Sequence, residues 1–438
     1  MRIEQDESRG TAASAAPVPS NARRRPVVPV AAAVTALMLG AVQAWALAAW
    51  ASRRDLGLRD VMIKWDAGWM TKIAEFGYFG FSVSPDPQER VEWQSVAFLP
   101  GYPVLVRIAS APLAVLGRED ATFVGGLAAS AVASIVFAWG VARLAADMWS
   151  RSRVAEGAPP PSVRAQAALA VAVTVLAFGA PMSFLYWMPY TEALFGALAV
   201  WTLVMVLRRR YLVAGVLTLG AGLTRITAVA LVLMLCAVAA VELWHWARRR
   251  TAFPAGAVAA PVVGSLGMAA YIAWANAQVA EIGGYFAAQR RGWNSQVDLG
   301  VATFAWLREH LLLSGLDDRN EVAYVLSSWA IIAVFALCAA SLWPLARGWV
   351  PWQVWLVAIL VAGSVLGSDG IMHARPRLLL LPVLLLLLPF VVRVVDRIVR
   401  GGPRRPRRLA FVAATGVLWC VVGFTFFGWM IVEFQYGI

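Results

Sequence analysis

Trp65-Asp66-Ala67-Gly68-Trp69, followed by Ile73-Ala74-Glu75-Phe76-Gly77-Tyr78, sets one acid among aromatic side chains just after the first long apolar run. Trp65, Trp69, Ile73 and Phe76 recur at helical spacing, which predicts an amphipathic helix over 61–76 lying on a membrane surface. Asp66 falls near the start of that helix, where the helix dipole favours an anion. A carboxylate placed there can deprotonate an acceptor hydroxyl while a sugar leaves a lipid phosphate, and one ionised acid suffices for a single displacement with inversion. The same residue also fits an ordinary acid at the start of a surface helix. Glu75 falls on the opposite face and is read as structural.

Other polar islands interrupt the apolar sequence. In Phe98-Leu99-Pro100-Gly101-Tyr102-Pro103 the two prolines predict a broken helix and a turn at the interface, either a kink or a substrate contact. Met188-Pro189-Tyr190-Thr191-Glu192 puts an acid at the mouth of a span, where it serves either function or a helix cap. Thr224-Arg225 splits a long apolar stretch. Its guanidinium suits a lipid-carrier phosphate, and a structural pair with Glu192 or Asp66 is the rival use. Gln289 and Trp293 lie one helical turn apart and can present an amide and a ring to one sugar, whereas Arg290 and Arg291 between them also suit lipid headgroups. Finally, Ser368-Asp369-Gly370-Ile371-Met372-His373-Ala374-Arg375-Pro376-Arg377 opens a Leu-rich span with basic residues on what should be its outer side. His373 adds little on its own: the three histidines are scattered, and no metal site is expected. No DxD pair, Walker loop or GxGxxG supports a nucleotide donor.

These islands need a membrane scaffold to hold them. The 438 residues are 60% hydrophobic and 14% charged, with a mean hydropathy of +0.68. Soluble domains are about half apolar and a quarter charged, so this is an all-α polytopic membrane protein. The net charge of +13 comes from short arginine clusters between apolar runs, which fits positive-inside topology and not nucleic-acid binding. Cys236, Cys338 and Cys420 sit inside apolar runs and read as small buried residues without a disulfide framework. Abundant Ala, Arg and Val with little Lys suggests a bacterial plasma membrane.

About eleven crossings are expected, near 27–50, 121–147, 165–181, 191–207, 211–224, 226–246, 255–279, 320–345, 351–367, 376–397 and 408–433. Residues 1–25 read as a disordered cytoplasmic tail, and 26–438 as one transmembrane domain. Arginines at 23–25, 151, 153, 164, 208–210, 248–250, 347 and 393–408 all stay cytoplasmic if 98–116 does not cross. The loops 51–120, about 182–190, 280–319 and 368–375 and the break near Thr224-Arg225 then lie outside, and these carry the polar islands.

In order and spacing the islands resemble the PIG-V mannosyltransferase family of the polytopic GT-C glycosyltransferases. The resemblance rests on Trp65-Asp66, Ile73-Ala74, Gly77-Tyr78, Phe98-Leu99-Pro100, Tyr102-Pro103, Tyr190-Thr191-Glu192, Thr224-Arg225, Gln289 with Trp293, and Arg375-Pro376-Arg377. It covers 60–390. It implies a GT-C-like helical bundle with interfacial helices in the first outer loop. It also implies inverting transfer of mannose from a polyprenyl-phosphate donor, with Asp66 as the catalytic base. Two positions depart from the family pattern: the residues before Tyr102-Pro103, and Trp293-Asn294 where the family has Trp-Gly. The acceptor is therefore left as a glycolipid, a lipoglycan or an exported protein.

The expected site comprises Asp66 as base, Arg225, Arg375 and Arg377 on the donor phosphate, and Trp65, Trp69, Tyr102, Tyr190, Glu192, Gln289, Trp293 and His373 around the substrate. No cofactor is expected, the partners being the lipid-linked donor, its acceptor and membrane lipids. A glycolipid transporter or flippase is the rival function, since broken spans and intramembrane charge also suit transporters. No internal repeat is visible, which favours the enzyme.

Overall fold

Backbone polar groups in hydrocarbon must be satisfied within their own segment, so the apolar runs become helices. The computed structural model describes residues 27–81, 94–249, 252–312, 319–401 and 404–434. The expected tail 1–25, with its arginines at 23–25, lies outside them. The helices are α1 (Val27–Ser52), α2 (Leu58–Met62), α3 (Asp66–Phe76), α4 (Gly101–Val115), α5 (Ala121–Ala155) and α6 (Val163–Phe178). They continue with α7 (Glu192–Leu207), α8 (Tyr211–Gly222), α9 (Val229–Arg249), α10 (Ala255–Gln278), α11 (Tyr285–Trp293) and α12 (Val301–His310). The last are α13 (Arg319–Ala340), α14 (Leu342–Ala346), α15 (Trp352–Leu366), α16 (Arg375–Leu378), α17 (Leu380–Val399) and α18 (Arg405–Val432). Among the described residues the only β-pairing is an isolated antiparallel bridge between Val297 and Ser368.

The fold is an all-α polytopic membrane protein. Helices α1, α5, α10 and α18, with the stretches Ile226–Arg249 and Asn320–Ala346, are long and apolar enough to cross a bilayer. Met372–Leu378 and Leu380–Val399, bent by 46° at the break between them, are long and apolar enough only when taken together. The remaining expected crossings coincide with the shorter apolar helices α6, α7, α8 and α15.

Lipid offers helices no hydrophobic gain on association, so they pair through close packing of small residues. At the α8–α10 contact a Cβ on Gly215 would lie 2.7 Å from the Ala260 carbonyl oxygen, and one on Gly267 would lie 2.6 Å from that of Leu219. Met38, Trp45, Phe411, Val417 and Leu418 on α1 and α18 point outward, as lipid-facing residues should. Cys236 is exposed on α9 and the other two cysteines are half-buried, so the expectation of three buried cysteines fails, and all three are free.

The arginine clusters gather at one end of the bundle. Arg153 Nε lies 2.9 Å from Asp396 Oδ1, joining the C-terminal ends of α5 and α17. Asp147 pairs with Arg208 at 3.0 Å, and Glu242 pairs with Arg209 at 3.1 Å. The polar islands sit toward the opposite ends of α5 and α17.

The segment 98–116 differs from expectation. Pro100 and Pro103 do not break a helix: they start one, because proline fits the first turn, where no backbone donor is needed. Pro112 lies inside that helix, α4. Tyr102 at the start of α4 bonds Gly126 and Ser130 of α5, while Ser110 packs against Gly125. The helix therefore runs beside the N-terminal part of α5, away from the Arg153 end.

Candidate functional site

The segment around Asp66 is positioned by backbone geometry. In place of one helix over 61–76 there are two, α2 and α3, separated at 63–65. Trp65 at the break has φ 54° and ψ −121°, a conformation side chains rarely adopt, at a cost of order 1–3 kcal/mol. This sharp break makes Asp66 the first residue of α3, on the positive end of the helix dipole. Glu75 is exposed, as its place on the opposite face requires. Lys64 braces the same break by donating to the Ile431 carbonyl at 2.8 Å.

The other islands dock onto one another. Gly101 N donates to the Leu223 carbonyl at 2.7 Å, so the Pro-Gly-Tyr island sits on the C-terminal end of α8 beside Thr224-Arg225. A Cβ at Gly101 would lie 2.8 Å from that same oxygen, so the approach requires glycine. Ser130 and Ser134 of α5 donate to the carbonyls of Met188 and Tyr186, holding the turn that presents Glu192 at the start of α7. Tyr190 is buried and donates to the Lys64 carbonyl at 3.1 Å, linking this turn to the Trp65 break.

Two acids and two arginines meet where these segments converge. Arg377 Nη2 lies 2.8 Å from Asp66 Oδ2, and Arg377 Nε lies 3.4 Å from Glu192 Oε1. Arg225 Nη1 donates to Glu192 Oε1 and to Thr191 Oγ1, each at 2.8 Å. The ring of Tyr190 supports the Arg377 guanidinium, 5.5 Å from its centroid. Burial raises the Asp66 carboxyl above the usual carboxylate range, and the nearby Arg377 charge opposes that rise.

A cavity of about 330 Å³ opens above this cluster. Asp66 and Arg377 form part of its wall with Trp65, Trp69, Gln289, Trp293 and Arg375. Trp69 stacks on Phe98 at 5.5 Å, and Trp293 meets Phe98 edge-on at 5.2 Å. Gln289 donates to the Ala97 carbonyl at 3.0 Å and to Tyr285 Oη at 2.9 Å, which anchors α11 over the turn at Gln94–Ala97. Trp293 Nε1 is buried with no hydrogen-bond partner among the described residues.

Arg375 differs from its neighbours in what holds it. It is buried and donates to Thr303 Oγ1 and the Ser368 carbonyl, and it makes no ion pair among the described residues. Its positive charge at the cavity wall is not neutralised by a touching carboxylate, as those of Arg377 and Arg225 are.

Seven of the expected site residues thus share one cavity, and five do not. Tyr102 is fully buried behind α3, its hydroxyl committed to Gly126 and Ser130. Tyr190 and Glu192 lie beneath the cavity and support Arg377. Arg225, expected on a phosphate, is spent on Glu192 and Thr191, so the rival use named from the sequence is the observed one. His373 packs between Tyr324 and Phe434, with centroids 5.8 and 5.0 Å away, and does not line the cavity.

Sequence reasoning missed Ser295, Ser368 and Asp369 as lining residues. Their signal was a backbone pairing invisible in spacing: Asp369 N donates to the Gln296 carbonyl at 2.7 Å, beside the Val297–Ser368 bridge. Among the described residues no three of His, Cys, Asp or Glu gather into a metal-binding group.

Compared with models of known protein families and with curated proteins, the chain matches none. Function is therefore read from the site's own chemistry. The site offers a carboxylate of raised pKa, an arginine that no carboxylate touches among the described residues, and aromatic walls, in a space within the roughly 300–1,000 Å³ of small-molecule sites.

Proposed function

We propose that the protein is an integral membrane glycosyltransferase, an inverting enzyme moving mannose from polyprenyl-phosphate mannose to a glycolipid, lipoglycan or exported-protein acceptor on the outer face. One observation carries this reading: Asp66, Arg375 and Arg377, from distant parts of the chain, line one aromatic-walled cavity. Each part has a task in glycosyl transfer. Arg375 binds the carrier phosphate, since a guanidinium matches phosphate geometry and this one has no competing carboxylate in contact. Arg377 shares that phosphate while restraining Asp66. The rings of Trp69 and Trp293 cover the apolar faces of the sugar.

In the reaction the acceptor oxygen attacks the anomeric carbon from the face opposite the phosphate. The bond from that carbon to the phosphate oxygen breaks, and polyprenyl phosphate leaves with the electron pair. Asp66 takes the acceptor's hydroxyl proton. Burial raises the carboxyl pKa, which makes the ionised Asp66 a stronger base than a solvated aspartate.

A glycolipid transporter has one feature in its favour, the 46° bend between the segments ending at Leu378 and starting at Leu380. Supplying membranes that contain the full chain with labelled polyprenyl-phosphate mannose and membrane acceptors separates the two. The enzyme yields a labelled product with a new glycosidic bond, lost in Asp66→Asn. Translocation of intact donor without a new bond would establish the transporter instead.

A further inference from the structure

We propose that Asp369 reads the hydroxyl groups of the donor sugar, with Trp293 as the ring beside them. The inference rests on the glycosyl-transfer reading above and deepens it to the residue that sets sugar selectivity. Asp369 is the second carboxylate in the cavity that holds Asp66. It follows Ser368, whose carbonyl accepts a hydrogen bond from Arg375. A carboxylate next to the phosphate-binding guanidinium faces the donor's own sugar, because that sugar is bonded directly to the phosphate.

The carboxylate is available for this task. Its Oδ1 accepts from Gly370 N at 2.7 Å and its Oδ2 accepts from Asn294 Nδ2 at 3.4 Å, and among the described residues it makes no ion pair. An ionised carboxylate accepts about four hydrogen bonds and donates none, so it complements adjacent hydroxyl donors and repels a phosphate. Its backbone is fixed by the bond to Gln296. Gly370 has φ 134°, a turn that admits glycine and places the carboxylate at the cavity wall. On the same wall the buried Trp293 Nε1 has no acceptor among the described residues and can donate to a sugar oxygen.

The test pairs enzyme variants with altered donors. Full-length wild type and Asp369→Asn are assayed with polyprenyl-phosphate mannose and with donors in which one hydroxyl at a time is replaced by hydrogen. In wild type, at least one deoxy donor should lose about 10- to 100-fold in kcat/KM, chiefly through KM. In Asp369→Asn the intact donor should lose a similar factor, and the penalty for that same deoxy position should shrink toward one. Asn retains an oxygen to accept from Gly370, so the turn is preserved. Asn294→Gly, which removes the long contact and keeps the left-handed backbone that Asn294 adopts at φ 48°, should keep the wild-type deoxy pattern.

Equal deoxy penalties in wild type and Asp369→Asn would overturn the inference while leaving the glycosyl-transfer reading standing. So would a wild type indifferent to every deoxy donor, which needs no variant to establish. Loss of the pattern in Asn294→Gly would assign the effect to loop geometry and overturn it too. No transfer of intact mannose by wild type would remove both proposals together.

Discussion

Asp66 and Arg377 meet at 2.8 Å, one at the start of α3 and the other in the short helix before α17. Arg377 also reaches Glu192, which Arg225 holds from its other side, so charge alternates through the cluster. Buried charges are costly unless paired, and two acids with two guanidinium groups satisfy that demand. In the proposed reaction an arriving phosphate would compete with Asp66 for Arg377. Drawing the guanidinium toward the donor would loosen its hold on Asp66 and leave the carboxylate a stronger base when the donor is bound.

Asp66→Asn should lower turnover by about 10²- to 10⁴-fold, the usual contribution of a general base. The amide matches the carboxylate in size and can still bond one neighbour, so expression and thermal unfolding in detergent should remain near wild type. Glu75→Gln, on the exposed face of α3, should keep most of the activity. Steady-state rates with labelled donor check both, and wild-type turnover by Asp66→Asn would remove Asp66 from catalysis.

The pH dependence has a defined sign. The active form of Asp66 is ionised, and burial raises its pKa above that of a free aspartate, near 3.9. As pH falls, activity should therefore disappear at a higher pH than for a solvated aspartate. Arg377 opposes the rise, so Arg377→Gln should move this acid limb to still higher pH. A pH profile of kcat/KM for wild type and variant reads the shift directly, and an unchanged limb would show that another group controls it.

The helical scaffold was legible because hydrocarbon dictates it: apolar runs of sufficient length had to become helices, and arginine clusters marked their shared end. Asp66 was also legible, since an acid among tryptophans at helical spacing is a local pattern. What could not be read was three-dimensional partnership. Arg225 carries the same guanidinium as Arg375, and only the docking of Gly101 on Leu223 and the placement of Glu192 decide that Arg225 is spent on a carboxylate. Tyr102 likewise sits in a motif suggestive of substrate, yet its hydroxyl is committed to α5. Asp369 lay within a highlighted segment but gained significance only through its backbone bond to Gln296. The strained Trp65 conformation had no signal at all, because tryptophan is a poor residue for positive φ.

The arginines should separate by readout. Arg375→Gln removes a charged contact to phosphate worth roughly 1.5–3 kcal/mol, so the KM for donor should rise about 10- to 150-fold. Arg225→Gln instead deprives the buried Glu192 of one partner, with Arg377 remaining at 3.4 Å. Its cost should fall near the lower end of the roughly 3–5 kcal/mol for breaking a buried pair, and thermal unfolding should report it. Donor KM rising in Arg225→Gln without loss of stability would return that arginine to the phosphate.

The proposed outward-facing site makes a prediction about sidedness. Gln296 and Ala155 are both exposed, the first on the segment that pairs with Asp369 and the second at the end of α5 beside the Arg153–Asp396 pair. Under positive-inside topology the arginine-rich end would face the cytoplasm and the cavity the outside. In intact cells a membrane-impermeant thiol reagent should label Gln296→Cys and should reach Ala155→Cys only after permeabilisation. The native Cys236, Cys338 and Cys420 lie within apolar helices, where a water-soluble reagent has little access, so the background should be low. Reversed labelling would place the cavity on the cytoplasmic face. Labelling of both positions from outside would break the shared sidedness of the arginine clusters, and with it the proposal of transfer at the outer surface.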